Sequence, residues 1–139
     1  LQGRTDDAMR EVEHEVDDTF RLQGTALVEL ARGRVAESDA ALRELVRKYA
    51  DEAAYQIAQL HAQRGDAARA FEWLARAYAG QNRFREALDN ALEVVVRDRF
   101  FDEGAGRKAL LQIFEALGGS EQHDDLVREF RRKLSAALN

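Results

Sequence analysis

The stretch AARAFEWLARAYA, residues 67–79, decides the fold because it fits one helix–turn–helix pattern in two frames. With the Gly65-Asp66 turn before it, the stretch reads as a second helix. The slots ahead of that turn hold Ala54, Ile57, Ala58 and His61, and those after it hold Ala70, Leu74 and Ala77. With the Asn82-Arg83 turn behind it, the same stretch reads as a first helix. Its slots are then Phe71, Leu74, Ala75 and Tyr78, answered by Ala87 and Ala91. Both sets advance by three and four residues, the step that gathers side chains on one helix face. The two turns lie 17 residues apart. One helix is therefore expected to serve two structural units.

Working outward, nearly every segment has helical period. A first helix is expected over about 5–16, sparse in apolar residues (Ala8, Met9, Val12, Val16), and a second over 19–32, ending at Gly33. A third, about 35–49, aligns Ala41, Leu42, Leu45, Val46 and Tyr49 on one stripe. Asp51 is placed to cap a fourth that runs to Gly65, and Asp66 to cap a fifth that Gly80 ends. The sixth, 84–98, has the clearest amphipathic spacing, through Phe84, Ala87, Leu88, Ala91, Leu92 and Val95. An acidic loop at 98–104 leads to a helix broken by Gly118-Gly119. The last helix, from 121, carries Leu126, Val127, Phe130, Leu134 and Leu138. No stretch alternates with period two for long enough to propose a sheet.

The chain carries 21 Lys and Arg against 26 Asp and Glu, a formal net charge of −5 with the signs interspersed. Such a surface offers no general attraction to phosphate backbones, so nucleic acid is not an expected partner. No apolar run approaches the ~18 residues of a membrane span, and 1–4 has no signal-peptide character. Without cysteine there is no disulfide, thiolate metal site or thiol chemistry. These features fit the cytoplasm. Proline is absent, where average usage of about 5% predicts roughly seven.

The slots around both turns resemble the tetratricopeptide repeat, which runs W-x2-L-G-x2-Y and then A-x3-F over ~34 residues. The resemblance implies an all-α fold. About eight antiparallel helices would stack as a solenoid in a single domain, 1–139, with helix 67–79 shared between two repeat frames. Each unit would lean on its neighbour to bury its stripe. Because both frames use Leu74, Leu74→Ala is expected in the upper half of the ~2–5 kcal/mol range. Glu29 stands where the repeat takes Tyr, and the expectation is that this face has been re-solvated.

Two finer resemblances meet inside the shared helix. Residues 1–79 are similar to the repeat region behind winged-helix or adenylate-cyclase-like domains of bacterial regulators. That likeness rests on LQGRTDDAMREVE, FRLQGTALVELARGR, AESDAALRELVRKYADEAAYQIAQLHAQRGD and AFEWLARAYA. Residues 80–139 resemble the C-terminal repeat half of YbbN-type thioredoxin-like chaperones, the chaperedoxins, through NRFREALDNALEVVVRDR, DEGAGRKALLQIFEALG and LVREFRRKLSAALN. With the missing proline, the half-period turns and a start in mid-repeat without methionine, these imply an engineered chimera of two natural fragments, with a natural fusion as the alternative. The expected function is then a designed, monomeric helical scaffold without evolved catalysis, found only as a recombinant protein. The alternative is a protein–protein interaction module, through its chaperedoxin likeness associated with unfolded clients or a chaperonin, with Phe130 and Leu134 read equally as contact residues or as core.

Catalytic, cofactor and metal sites are not expected. His14, His61 and His123 lack the i, i+4 partner that a helical zinc site needs, and His61 occupies an aromatic packing slot. Gly104-Ala105-Gly106-Arg107-Lys108 has neither the spacing nor the Ser/Thr of a phosphate loop. For a peptide partner, the first helices of the repeats would present Gln23, Leu27, Tyr55, Gln59, Gln63, Glu72 and Arg76 on a concave face. That set is mixed in charge and lacks the Lys and Asn cluster with which some members of the family hold a peptide carboxylate.

Overall fold

Three turns of one design punctuate the chain, and each follows from a residue that tolerates the left-handed backbone. Gly33, Gly65 and Asn82 have φ of 76°, 77° and 59°. Around each, two backbone bonds close the preceding helix, Arg34 N to Glu29 O, Asp66 N to His61 O and Arg83 N to Tyr78 O being the longer reach. This is the Schellman arrangement, which satisfies carbonyls that a helix end leaves open. Gly80 is the last residue of its helix, which ends there as expected, and Asn82 takes the left-handed position.

The computed structural model describes residues 2–118 and 121–139, with the backbone alone at 2–9, 11–13 and 15. The helices are α1 (Gln2–Ala31), α2 (Val35–Tyr49), α3 (Ala54–Gln63), α4 (Ala67–Gly80), α5 (Phe84–Arg97), α6 (Ala105–Leu117) and α7 (Asp124–Leu138). Short 3-10 turns at Phe101–Glu103 and Glu121–His123 precede α6 and α7. Among the described residues there is no strand and no helix long and apolar enough to cross a membrane. Asp66 caps α4 as expected, its Oδ1 accepting from Arg69 N at 3.1 Å. By contact the chain divides into two compact units, Leu1–Leu60 and His61–Asn139.

In the first unit, α1 and α2 form a hairpin. Leu22 and Ala26 of α1 and Ala41, Leu42 and Leu45 of α2 are buried. Ser38 is also fully buried, and its hydroxyl donates to the Ala26 carbonyl at 2.7 Å. The eight-helix expectation is corrected here, because the two helices expected over 5–16 and 19–32 are one continuous α1. Nothing at Val16-Asp17-Asp18 breaks a helix, there being neither Gly nor Pro. Asp18 turns its carboxylate to α2 instead of capping a new helix: Tyr49 Oη donates to it at 2.7 Å and Lys48 Nζ lies 3.6 Å away. Gly3-Arg4 lies in the first turn of α1. The expected apolar side chains Ala8, Met9 and Val12 lie outside the described residues, as does Gly119. Glu29 is not re-solvated: its side chain is 14% exposed and ion-paired to Arg32 at 3.5 Å and Arg34 at 3.6 Å.

In the second unit, α4 and α5 run antiparallel, α6 packs on α5, and α7 closes against both α5 and α6. The core joins Ala75, Ala87, Leu88, Ala91, Val95, Leu110, Ile113, Phe114, Leu117, Phe130 and Leu134. Where α6 meets α5, the missing side chain of Gly106 lets the backbones approach closely. At Gly106 an added Cβ would sit 2.8 Å from Val94 Cβ and 3.0 Å from the Ala91 carbonyl. Leu74, expected to be doubly used, is only half-buried and stands outside this cluster.

Stability should follow these contacts. Leu88→Ala, at a fully buried position, is expected to cost about 2–5 kcal/mol, with Leu74→Ala clearly cheaper because less of Leu74 leaves water. Gly106→Ala should cost about 1–3 kcal/mol by overpacking, although Ala is the better helix former. Urea titrations of the three variants check this, and an unchanged or stabilised Gly106→Ala would refute the close approach. A further test concerns acid. The Tyr49 hydroxyl, and after it Arg21, hold Asp18 at about 2 rather than the ordinary 3.8. The stability this brings is present above the ordinary value and is lost as pH falls through about 2. In Tyr49→Phe that loss should be smaller and complete at higher pH, read from thermal melts at steps down to about pH 2; superimposable acid limbs would remove the bond from the account.

Candidate functional site

The second unit offers one groove with the makings of a binding site. It lies between α4 and α6, has a volume of ≈ 550 Å³, and opens to solvent. Ala75 and Ala79 of α4, Phe84 of α5, and Ala109, Ile113 and Ala116 of α6 line it. Glu72, Arg76 and Gln112 supply its polar groups. The floor is low because both helices present alanine at helical steps, Ala75 and Ala79 on one side and Ala109 and Ala116 on the other. A cleft of this size with an apolar floor and a few polar groups suits side chains of a bound segment.

Glu72 and Arg76 are one turn apart on α4, so they project together. The Arg76 guanidinium lies 4.9 Å over the Trp73 ring, which holds the cation along the helix. Burial pushes the Glu72 carboxyl up from its ordinary range, and the nearby Asp102 carboxylate pushes the same way, against Arg69 and Arg76. An adjoining cleft shares Glu72, Ala109 and Gln112 and continues past Asp102, Glu103 and Lys108.

Of the seven residues the sequence nominates, the fold brings together two pairs. Glu72 and Arg76 line the groove just described. In the first unit, Gln23 Nε2 donates to Gln59 Oε1 at 3.1 Å, joining α1 to α3. Leu27 is half-buried on α1 and Tyr55 is exposed on α3. Gln63 is exposed in the last turn of α3 and does not line the groove. Sequence reasoning missed the α6 wall, Ala109, Gln112, Ile113 and Ala116. The signal was present in their spacing, but that face of α6 reads equally as core.

His61 and His123 pack, while His14 is exposed. His61 is 7% exposed, and burial pushes its imidazole below the ordinary value. His123 meets Phe84 edge to face, with ring centroids 5.5 Å apart. Phe130 and Leu134, the contact residues the chaperone resemblance implies, are in the core and not on the surface. Gly106, in the glycine-containing segment that lacks the spacing of a phosphate loop, serves the α5–α6 contact.

The comparisons with known proteins agree with this architecture. No curated protein and no solved structure matches the chain. The family model of the tetratricopeptide repeat matches residues 56–139, from α3 through α7, and includes the whole groove. By that match, over more than half its length, the chain belongs to the tetratricopeptide repeat family.

Proposed function

We propose that this chain is a protein–protein interaction module that takes a peptide segment in the groove between α4 and α6. The observation that carries the reading is the alanine floor flanked by Glu72 and Arg76, within the stretch that matches the tetratricopeptide repeat model. A partner side chain would rest on Ala75, Ala109 and Ile113 while Glu72, Arg76 and Gln112 fix its polar neighbours. The packing of α6 and α7 against α4 and α5 is, in this reading, one step of the repeat stacking that the sequence leads one to expect. In this reading Gln23, Leu27, Tyr55 and Gln59 form a contact surface of the first unit, Gln63 is a further contact of the second, and both units belong to one helical-repeat domain, 1–139. No catalytic role is proposed.

A composite origin, with 1–79 and 80–139 joined through 67–79 as an engineered scaffold, rests on the two finer resemblances. The turn spacing does not require it. α4 has 14 residues and its turn spans 81–83, so one helix and one turn account for the 17 residues between the turns. The family match also runs across 79/80 as one stretch, which favours the interaction module as the leading reading. A chaperone association likewise has only the resemblance behind it.

Selection from a phage-displayed random peptide library against the chain tests the function. Enriched peptides should lose about tenfold or more in affinity with Arg76→Glu, and again with Ala116→Trp, which fills the groove from an exposed position. Helical circular dichroism should be unchanged in both variants. No enrichment, or peptides indifferent to both substitutions, would sink the reading.

A further inference from the structure

We propose that the α5–α6 loop, the outer face of α6 and the last turn of α7 form a second docking surface, for an acidic peptide segment that carries a large apolar side chain. Phe100 is 77% exposed and Leu111 43%. With Leu138 they line a shallow depression of ≈ 560 Å³, whose rim carries Arg99, Arg107 and Lys108. Single exposed apolar residues are ordinary on any protein, but a contiguous apolar patch rimmed by charge marks an interaction surface.

The loop holds Phe100 in place. Asp98 Oδ1 accepts from Phe100 N at 3.1 Å, which turns the chain at the end of α5. The Arg99 guanidinium lies 5.0 Å over the Phe100 ring and donates to the Leu138 carbonyl at 3.0 Å, bridging the loop to α7. An aromatic fixed in this way loses little further freedom when a partner covers it, and preorganisation of that kind favours binding.

Charge selects the occupant. The rim holds three cations and one carboxylate, Glu103, on a chain whose net charge is −5. Glu103 neutralises little, since its contact with Lys108 is 3.9 Å long and exposed. An apolar centre ringed by cations suits an apolar side chain flanked by carboxylates, and steers such a segment in from solution. A nucleic-acid backbone needs a longer basic track than three side chains. The surface shares Glu103 and Lys108 with the cleft that adjoins the groove, but its apolar centre faces away from the groove. Arg107 and Leu111 are one turn apart on α6, while Ala109 and Ile113 stand two residues on, roughly 200° around the helix and so on its opposite side.

Fluorescence polarisation with two labelled peptides tests the proposal. One alternates Leu and Phe with Asp and Glu; the other replaces the acids with Lys. The acidic peptide should bind, more weakly as salt rises, and the basic one should not. Phe100→Ala and Arg107→Glu should each weaken binding by about tenfold or more. Both positions are exposed, so the melting temperature should stay put. Arg76→Glu, in the groove across α6, should leave binding unchanged. The proposal is overturned by absent binding, by equal binding of the basic peptide, or by affinity indifferent to both patch substitutions. It is equally overturned if sedimentation shows a dimer that Arg107→Glu dissolves, since the occupant is then a second copy of the chain.

Discussion

At Gly106 the backbone of α6 comes so near to α5 that any side chain would collide with Val94 and the Ala91 carbonyl. That approach sets the rest of the second unit. It seats Leu110, Ile113, Phe114 and Leu117 in the core beside Ala87, Leu88 and Ala91. The groove lies between the same α6 and α4. The alanines on both walls follow the same logic in reverse: where helices touch, small residues let backbones close, and where they part, small residues leave room. One residue type therefore serves both the core contact and the cleft.

Charge plays a smaller part in holding the fold. Most ion pairs join residues three or four apart on one exposed helix face, and such pairs contribute little. Among the described residues, two of the exceptions link different helices through residues far apart along the chain. Asp18 ties α1 to Tyr49 and Lys48 of α2, and Arg85 reaches Glu129 at 2.7 Å to tie α5 to α7. Several arginines lie over aromatic rings, among them Arg76 over Trp73, Arg83 over Tyr78 and Arg131 over Phe114. These contacts cover apolar surface with a cation that stays hydrated at its edge. They explain how a chain this rich in arginine keeps its aromatics near the surface.

Much of the architecture was legible in particular residues. Gly33 and Gly65 announced helix ends, Asp66 announced a cap, and Ala70, Ala75, Ala77, Ala87 and Ala91 occupied packing slots that are buried. The errors have physical causes. The helices expected over 5–16 and 19–32 run on as one because nothing at Val16-Asp17-Asp18 breaks a helix, and Asp18 bonds sideways to α2. Leu74 satisfies both frames by spacing, but spacing gives a face and not a depth. Gly106 reads like part of a failed phosphate motif, whereas its lack of a side chain matters only because α5 lies against it.

The local rules of helix period, turn chemistry and small-residue spacing are properties of residues near each other along the chain. They determined from sequence alone that this protein is all helical, where most of its helices end and that it repeats. Whether α1 breaks, how deep Leu74 sits, which alanines line a cleft and that Phe100 stands fixed and exposed were decided by tertiary structure. Each depends on what a distant helix brings within van der Waals or hydrogen-bond reach, and no periodicity in the chain specifies that distance.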